Sequence, residues 1–115
     1  MKNYFFNTPI YKIWIDIINY LNPRASLLIE NFQYRFVSIV CQREELVYTY
    51  QKDNQTIELV YAHEYRKFYC RIFVDEPNKA RQAISFGQAE DLPLNSLQDL
   101  QNQIDYVMDM LKTRL

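Results

Sequence analysis

Apolar residues alternate with polar ones through the middle of the chain, and they recur at helical spacing near both ends. From residue 9 to about 21, Ile10, Ile13, Trp14, Ile17, Ile18 and Leu21 repeat at i, i+3, i+4, i+7, the signature of one helix face. Thr8 is placed to cap this helix, and Pro9 sits at the first helical position, where a missing N–H is harmless. Asn22-Pro23 predicts its end, because a residue before proline avoids the helical region. A strand with Ile13, Ile15 and Ile17 on one side is the competing reading, and the helix is preferred.

Segments near 32–42, 45–52, 56–62 and 67–74 are rich in Phe, Tyr, Val and Ile, residues that suit a pleated surface. Their alternation is explicit in Phe32, Tyr34, Phe36; in Leu46, Tyr48, Tyr50; in Ile57, Leu59, Tyr61; and in Phe68, Cys70, Ile72, Val74. Lys52-Asp53-Asn54-Gln55 is a hairpin turn signal, and His63-Glu64-Tyr65-Arg66 a second one. Residues 26–31 either extend the first strand or form a separate short piece. Beyond Val74 two readings stay open for 77–86. One is a helix capped by Asp75-Glu76-Pro77 and ending before Gly87; the other is a fifth strand carrying Ile84 and Phe86. Gln88 to Leu94 reads as a loop containing Pro93.

A helix over about 96–113 closes the chain, with Asn95 or Ser96 as its N-cap. Leu97, Leu100, Ile104, Val107, Met108 and Leu111 form its apolar stripe, with Asp99, Asn102, Asp105 and Asp109 away from it. Lys112 and Arg114 complement the negative end of the helix dipole. The pattern predicts one α+β domain over 1–115, a two-layer sandwich. In it an antiparallel β-meander of four to five strands packs against an N-terminal and a C-terminal helix. The sheet face away from the helices is expected to carry many of the ten tyrosines.

Composition agrees: 49% hydrophobic and 23% charged residues is globular usage. No apolar run approaches the ~20 residues that span a bilayer, and the N-terminus lacks a signal-peptide pattern. The expected setting is therefore cytoplasmic. Residues 61–86 hold five basic against three acidic side chains, and residues 87–115 two against five. Neither excess is large enough for a typical nucleic-acid binder.

The chain is poor in the residues that build reactive pockets. Its single glycine, Gly87, excludes a phosphate-cradling loop, a dinucleotide fingerprint and a nucleophile elbow. Its single histidine, His63, precedes Glu64, but Lys67 stands where a zinc-binding HExxH motif needs a second histidine. Cys41 and Cys70 lie in apolar runs and read as buried packing residues rather than a nucleophile, redox or disulfide pair. No metal or cofactor is expected. The stretch Arg66-Lys67-Phe68-Tyr69-Cys70-Arg71 interleaves basic and aromatic residues, yet it lacks the glycines of an RNA-binding strand. An ordinary strand with a basic exposed face accounts for it better.

By elimination the expected role is a non-catalytic protein-binding module, most simply an inhibitor or immunity-type protein that blocks a partner. The alternative is an assembly or secretion chaperone that binds a client protein as a dimer, and an RNA-binding domain ranks below both. The candidate partner surface comprises Tyr48, Tyr50, Tyr61, Tyr65 and Tyr69 in the meander, because tyrosine joins apolar area to a hydroxyl. On the last helix it comprises Asp99, Asp105, Tyr106, Asp109 and Met110, acidic positions beside an aromatic and a methionine outside the core stripe. Another protein is the expected partner, with a homodimer as a further possibility and no membrane.

Overall fold

A computed structural model describes residues 3–87 and 94–115. A short helix α1 (Tyr4–Asn7) precedes a long helix α2 (Ile10–Glu30). Five strands follow, β1 (Arg35–Gln42), β2 (Glu45–Lys52), β3 (Gln55–Ala62), β4 (Lys67–Val74) and β5 (Gln82–Phe86), and then helix α3 (Leu97–Arg114). The strands form one antiparallel sheet in the order β1-β2-β3-β4-β5, so every connection is a hairpin and the α+β meander is as expected. Residues 77–86 resolve to a turn and the fifth strand. The loop expected over 88–94 lies largely outside the described residues. Among the described residues no helix is long and apolar enough to cross a membrane.

Three boundaries differ from the expectation. Pro9 is itself the N-cap of α2, without a side-chain hydrogen bond, and Thr8 instead caps the C-terminus of α1, whose Phe5 is buried. More consequentially, α2 continues through Pro23 and absorbs residues 26–31. Proline removes one backbone hydrogen bond and crowds the preceding turn, but Leu21, Ala25 and Leu28 continue the buried stripe of Ile13 and Ile17 beyond it. Arg24 Nη1 also donates to the Tyr20 carbonyl at 2.9 Å, supporting the turn that proline weakens. Burial of a continuous apolar face outweighs the local defect. β1 begins at Arg35, because Gln33 takes a left-handed φ of 58° in the turn that leaves α2.

One core joins both layers. Register places Leu46, Tyr61 and Phe68 in one row across β2, β3 and β4, and Tyr48, Leu59, Cys70 and Phe86 in the next, all facing the helices. Ile13, Ile17 and Leu21 of α2, with Leu100, Ile104 and Leu111 of α3, close over them. Ser96 caps α3 in a capping box: its side chain accepts from the Asp99 N–H, and Asp99 Oδ2 accepts from the Ser96 N–H.

Three of the meander tyrosines lie on the opposite side of the sheet from the one expected, while Tyr69 keeps the outer face. Tyr48, Tyr50 and Tyr61 are buried on the helix side. Alternation reveals that two faces exist but not which one meets the helices, and the apolar partners Leu46, Ile57 and Leu59 share the tyrosines' face. Their hydroxyls make this tolerable where polar groups lie in reach: Tyr48 donates to Asn22 Oδ1 at 2.6 Å, and Tyr61 shares a 2.7 Å hydrogen bond with His63 Nδ1. Cys70 is buried as expected, whereas Cys41 is exposed because β1 forms the sheet edge.

Candidate functional site

Two hairpin turns meet at one end of the sheet. The β1–β2 connection is only Arg43-Glu44, and both residues adopt left-handed φ values, 51° and 64°. A two-residue antiparallel hairpin demands this geometry, and Asn-Gly is the sequence that ordinarily satisfies it. For residues with a Cβ the left-handed region costs roughly 1–2 kcal/mol each. The β3–β4 turn, His63 to Arg66, stands beside it, with Arg66 also left-handed at 49° and the Arg66 N–H donating to the His63 carbonyl. The His63 N–H donates to the Glu44 carbonyl at 3.0 Å, so the two turns form one unit.

A cleft of about 140 Å³ opens between the turns, lined by Arg43, Glu44, Glu45, Ala62, His63, Glu64 and Tyr65. It adjoins a groove of about 260 Å³ on the sheet face away from the helices, walled by Glu45, Ala62, Tyr65, Lys67 and Tyr69. Tyr65 contributes to both and is 67% exposed. On the far side of the turn the Arg66 guanidinium stacks on the exposed Phe6 ring, 3.8 Å from its centroid. Burial pushes the Tyr69 hydroxyl above its ordinary pKa, with Arg71 opposing, so Tyr69 stays neutral and available as a donor near neutral pH.

The imidazole of His63 is engaged by the Tyr61 hydroxyl rather than by a thiol. Cys70 is buried in the core, and burial pushes its thiol up to about 12, which suppresses the nucleophilic thiolate. Cys41 lies on the exposed edge strand β1, separated from Tyr61 by the intervening β2, and partial desolvation of its thiol raises its pKa. Among the described residues no group of three His, Cys, Asp or Glu side chains is placed to hold a metal. What this end of the sheet offers is a rigid, uneven surface of aromatic and charged groups.

Of the tyrosines singled out from sequence, only Tyr65 and Tyr69 reach this surface. The residues of α3 divide differently. Asp99 is used in the capping box. Asp105 accepts from Tyr20 at 2.6 Å and from Arg24 Nε at 2.8 Å, which ties α3 to α2. Met110 packs partly buried against the core, while Tyr106 and Asp109 remain exposed. Asp105 and Asp109 also line an open groove of about 410 Å³ between the helices with Pro23, Leu27 and Met108. Lys67, Tyr69 and Arg71 do share the outer sheet face, but Glu58, directly across from Arg71 on β3, pairs with it at 3.0 Å. Sequence reasoning missed Arg43 and Glu44. The signal for them was a gap of two residues between two alternating segments.

No protein-family model, curated protein or solved structure matches the chain.

Proposed function

We propose that the chain is a non-catalytic protein-binding module, of the inhibitor or immunity type, that covers a site on a partner protein with the turn end of its sheet. The observation that carries this reading is the Arg43-Glu44 turn. Two bulky charged residues occupy left-handed positions that asparagine and glycine fill at lower cost, and the neighbouring turn holds them there through the His63–Glu44 backbone bond. Strain of this kind persists where the side chains it displays are used. Beside them stands Tyr65, an exposed rigid aromatic of the type that anchors protein interfaces. The adjoining cleft and groove are smaller than the usual ~300–1,000 Å³ of small-molecule sites. They have room for one or two projecting side chains of a partner.

Arg43 and Lys67 lie among Glu44, Glu45 and Glu64, and such a mixed-charge rim gives orientation and specificity more than raw affinity. The test is affinity capture from the native source with the wild-type chain and with Arg43→Ala/Tyr65→Ala, both substitutions being on exposed turn residues. One protein held in stoichiometric amount by the wild type, and at least about ten-fold more weakly by the variant, is expected. Equal retention by both, or turnover of a small molecule with no protein retained, would overturn the proposal. The chaperone reading draws on a separate observation, the apolar outer edge of β1.

A further inference from the structure

We infer that β1 is a self-association edge, through which two copies join antiparallel into one continuous ten-stranded sheet. This surface adjoins the turn end only where β1 runs into Arg43-Glu44, and it does not depend on the assignment made there.

β1 is the outermost strand, eight residues long, and among the described residues no strand pairs with its outer row of backbone N–H and C=O groups. Edge strands are ordinarily blunted by brevity, charge or proline. The opposite edge, β5, is only five residues long. β1 has Arg35 at its start and then no charge before Arg43. Its apolar side chains stand in solvent on both faces, with Phe36, Val37, Ile39 and Val40 each 38–43% exposed. The bulge between Phe36 and Ser38 disturbs only the first part of the strand and leaves 38–42 regular.

The strand is self-complementary about Val40. Antiparallel pairing centred there sets Val40 against Val40 and Ser38 against Gln42 on the outer sheet face, and Ile39 against Cys41 on the helix side. Apolar thus meets apolar, and polar meets polar. The same register brings the Arg35 end of each strand alongside the Glu44-Glu45 end of the other. A one-residue slip would set side chains of opposite faces against each other.

The helix layer supports the same geometry. Tyr20 and Arg24 of α2 face α3 through Asp105, while Asn22, reached by Tyr48, lies toward the β1 side of the molecule. Helical periodicity places Tyr11, Ile15 and Ile29 on that Asn22 flank, 63%, 46% and 47% exposed. A two-fold axis perpendicular to the sheet keeps both helices on one face and brings these flanks together over Phe36 and Ile39. Seven large apolar side chains, each 38–63% exposed, supply together on the order of 600 Å² per copy before the strand backbone is counted. A stable interface takes about 800 Å² per partner.

The experiment measures the solution mass of the full chain by light scattering, beside two variants. The wild type is expected near twice its 14.0 kDa mass, and Val40→Lys, on an exposed edge position, near half the wild-type value with an unchanged circular dichroism spectrum. In a Cys41→Ser background, Val40→Cys is expected to oxidise to a disulfide-linked dimer, since residues directly opposite across a strand pair lie within disulfide reach. Ser85→Cys on β5 is expected not to. A monomeric wild type, a dimer that survives Val40→Lys, or cross-linking through Ser85→Cys in place of Val40→Cys would each overturn the inference.

Discussion

The Tyr48 hydroxyl donates to Oδ1 of Asn22 across 2.6 Å and pins the second strand to the middle of α2, one residue before Pro23. Tyr48 is 1% exposed, whereas Asn22 is exposed, so the two ends of this bond are not equivalent. Tyr48→Phe removes donor and desolvation penalty together and is expected to cost about 1 kcal/mol or less. Asn22→Ala strands a buried hydroxyl and is expected to cost about 1–3 kcal/mol. The double variant should then be more stable than Asn22→Ala alone. Denaturant unfolding of all four proteins checks the order, and a Tyr48→Phe protein less stable than Asn22→Ala would contradict it.

Gly87, the residue whose solitude excluded phosphate loops, has a structural task. Its φ of +95° lies where side chains are rarely tolerated, and a Cβ built there would stand 2.4 Å from Val107 Cγ2 of α3. Its carbonyl accepts from Gln103 Nε2, a side chain 3% exposed and the one buried polar residue among the described residues. Gly87→Ala therefore combines backbone strain with a clash against a packed helix and is expected to destabilise by about 2–4 kcal/mol. Gln103→Leu, which leaves the carbonyl unpaired, is expected to cost about 1–3 kcal/mol. Thermal melts distinguish these values from the few tenths expected of a neutral loop position.

The fold was legible where one pattern dominated. β2 and β4 occupy 45–52 and 67–74 as the alternation required, and α3 is displaced by a single residue from its expected span. Pro23 misled because local propensity favours a break there, while tertiary burial of Ala25 and Leu28 favours continuation. The tyrosine face misled for a different reason. Period two is symmetric, and a tyrosine whose hydroxyl can reach Asn22 or His63 packs inward as readily as leucine does. Cys41 looked buried because its neighbours are apolar, yet only strand order reveals that β1 is an edge. The turn end of the sheet was half visible: Tyr65 and Tyr69 were identified, but the left-handed geometry of Arg43 and Glu44 follows from pairing register, which no single segment displays.

Buried phenols predict an alkaline limit to stability. Burial pushes Tyr50 up to about 12 from an ordinary value of 10.0, and it raises Tyr48 and Tyr61 as well. Between these values the unfolded chain loses phenolic protons that the folded chain retains. The unfolded state then binds fewer protons, and stability falls as pH rises. The contribution is fully present below about pH 10 and is lost as pH climbs toward and through about 12. For Tyr50 alone the loss is on the order of 2 kcal/mol. Melts across this window should show stability falling together with the appearance of tyrosinate absorbance. Tyr50→Phe should flatten the decline, and a decline of unchanged slope would show that Tyr50 ionisation does not drive it.

The Arg43-Glu44 turn offers the sharpest link between stability and binding. Replacing it with Asn-Gly puts at both left-handed positions residues that tolerate them, while the Glu44 position keeps the backbone carbonyl that accepts from His63. The hairpin should gain about 1 kcal/mol, a rise of roughly 4 °C in Tm for a chain of this size. If the charged side chains are retained for contact with a partner, the same variant should hold the captured protein at least several-fold more weakly despite its greater stability. A pure folding role predicts the opposite pairing, with retention unchanged or improved as the turn relaxes. Measuring Tm and partner affinity on this one double variant therefore separates a turn strained for the surface it displays from a turn that is merely poorly optimised.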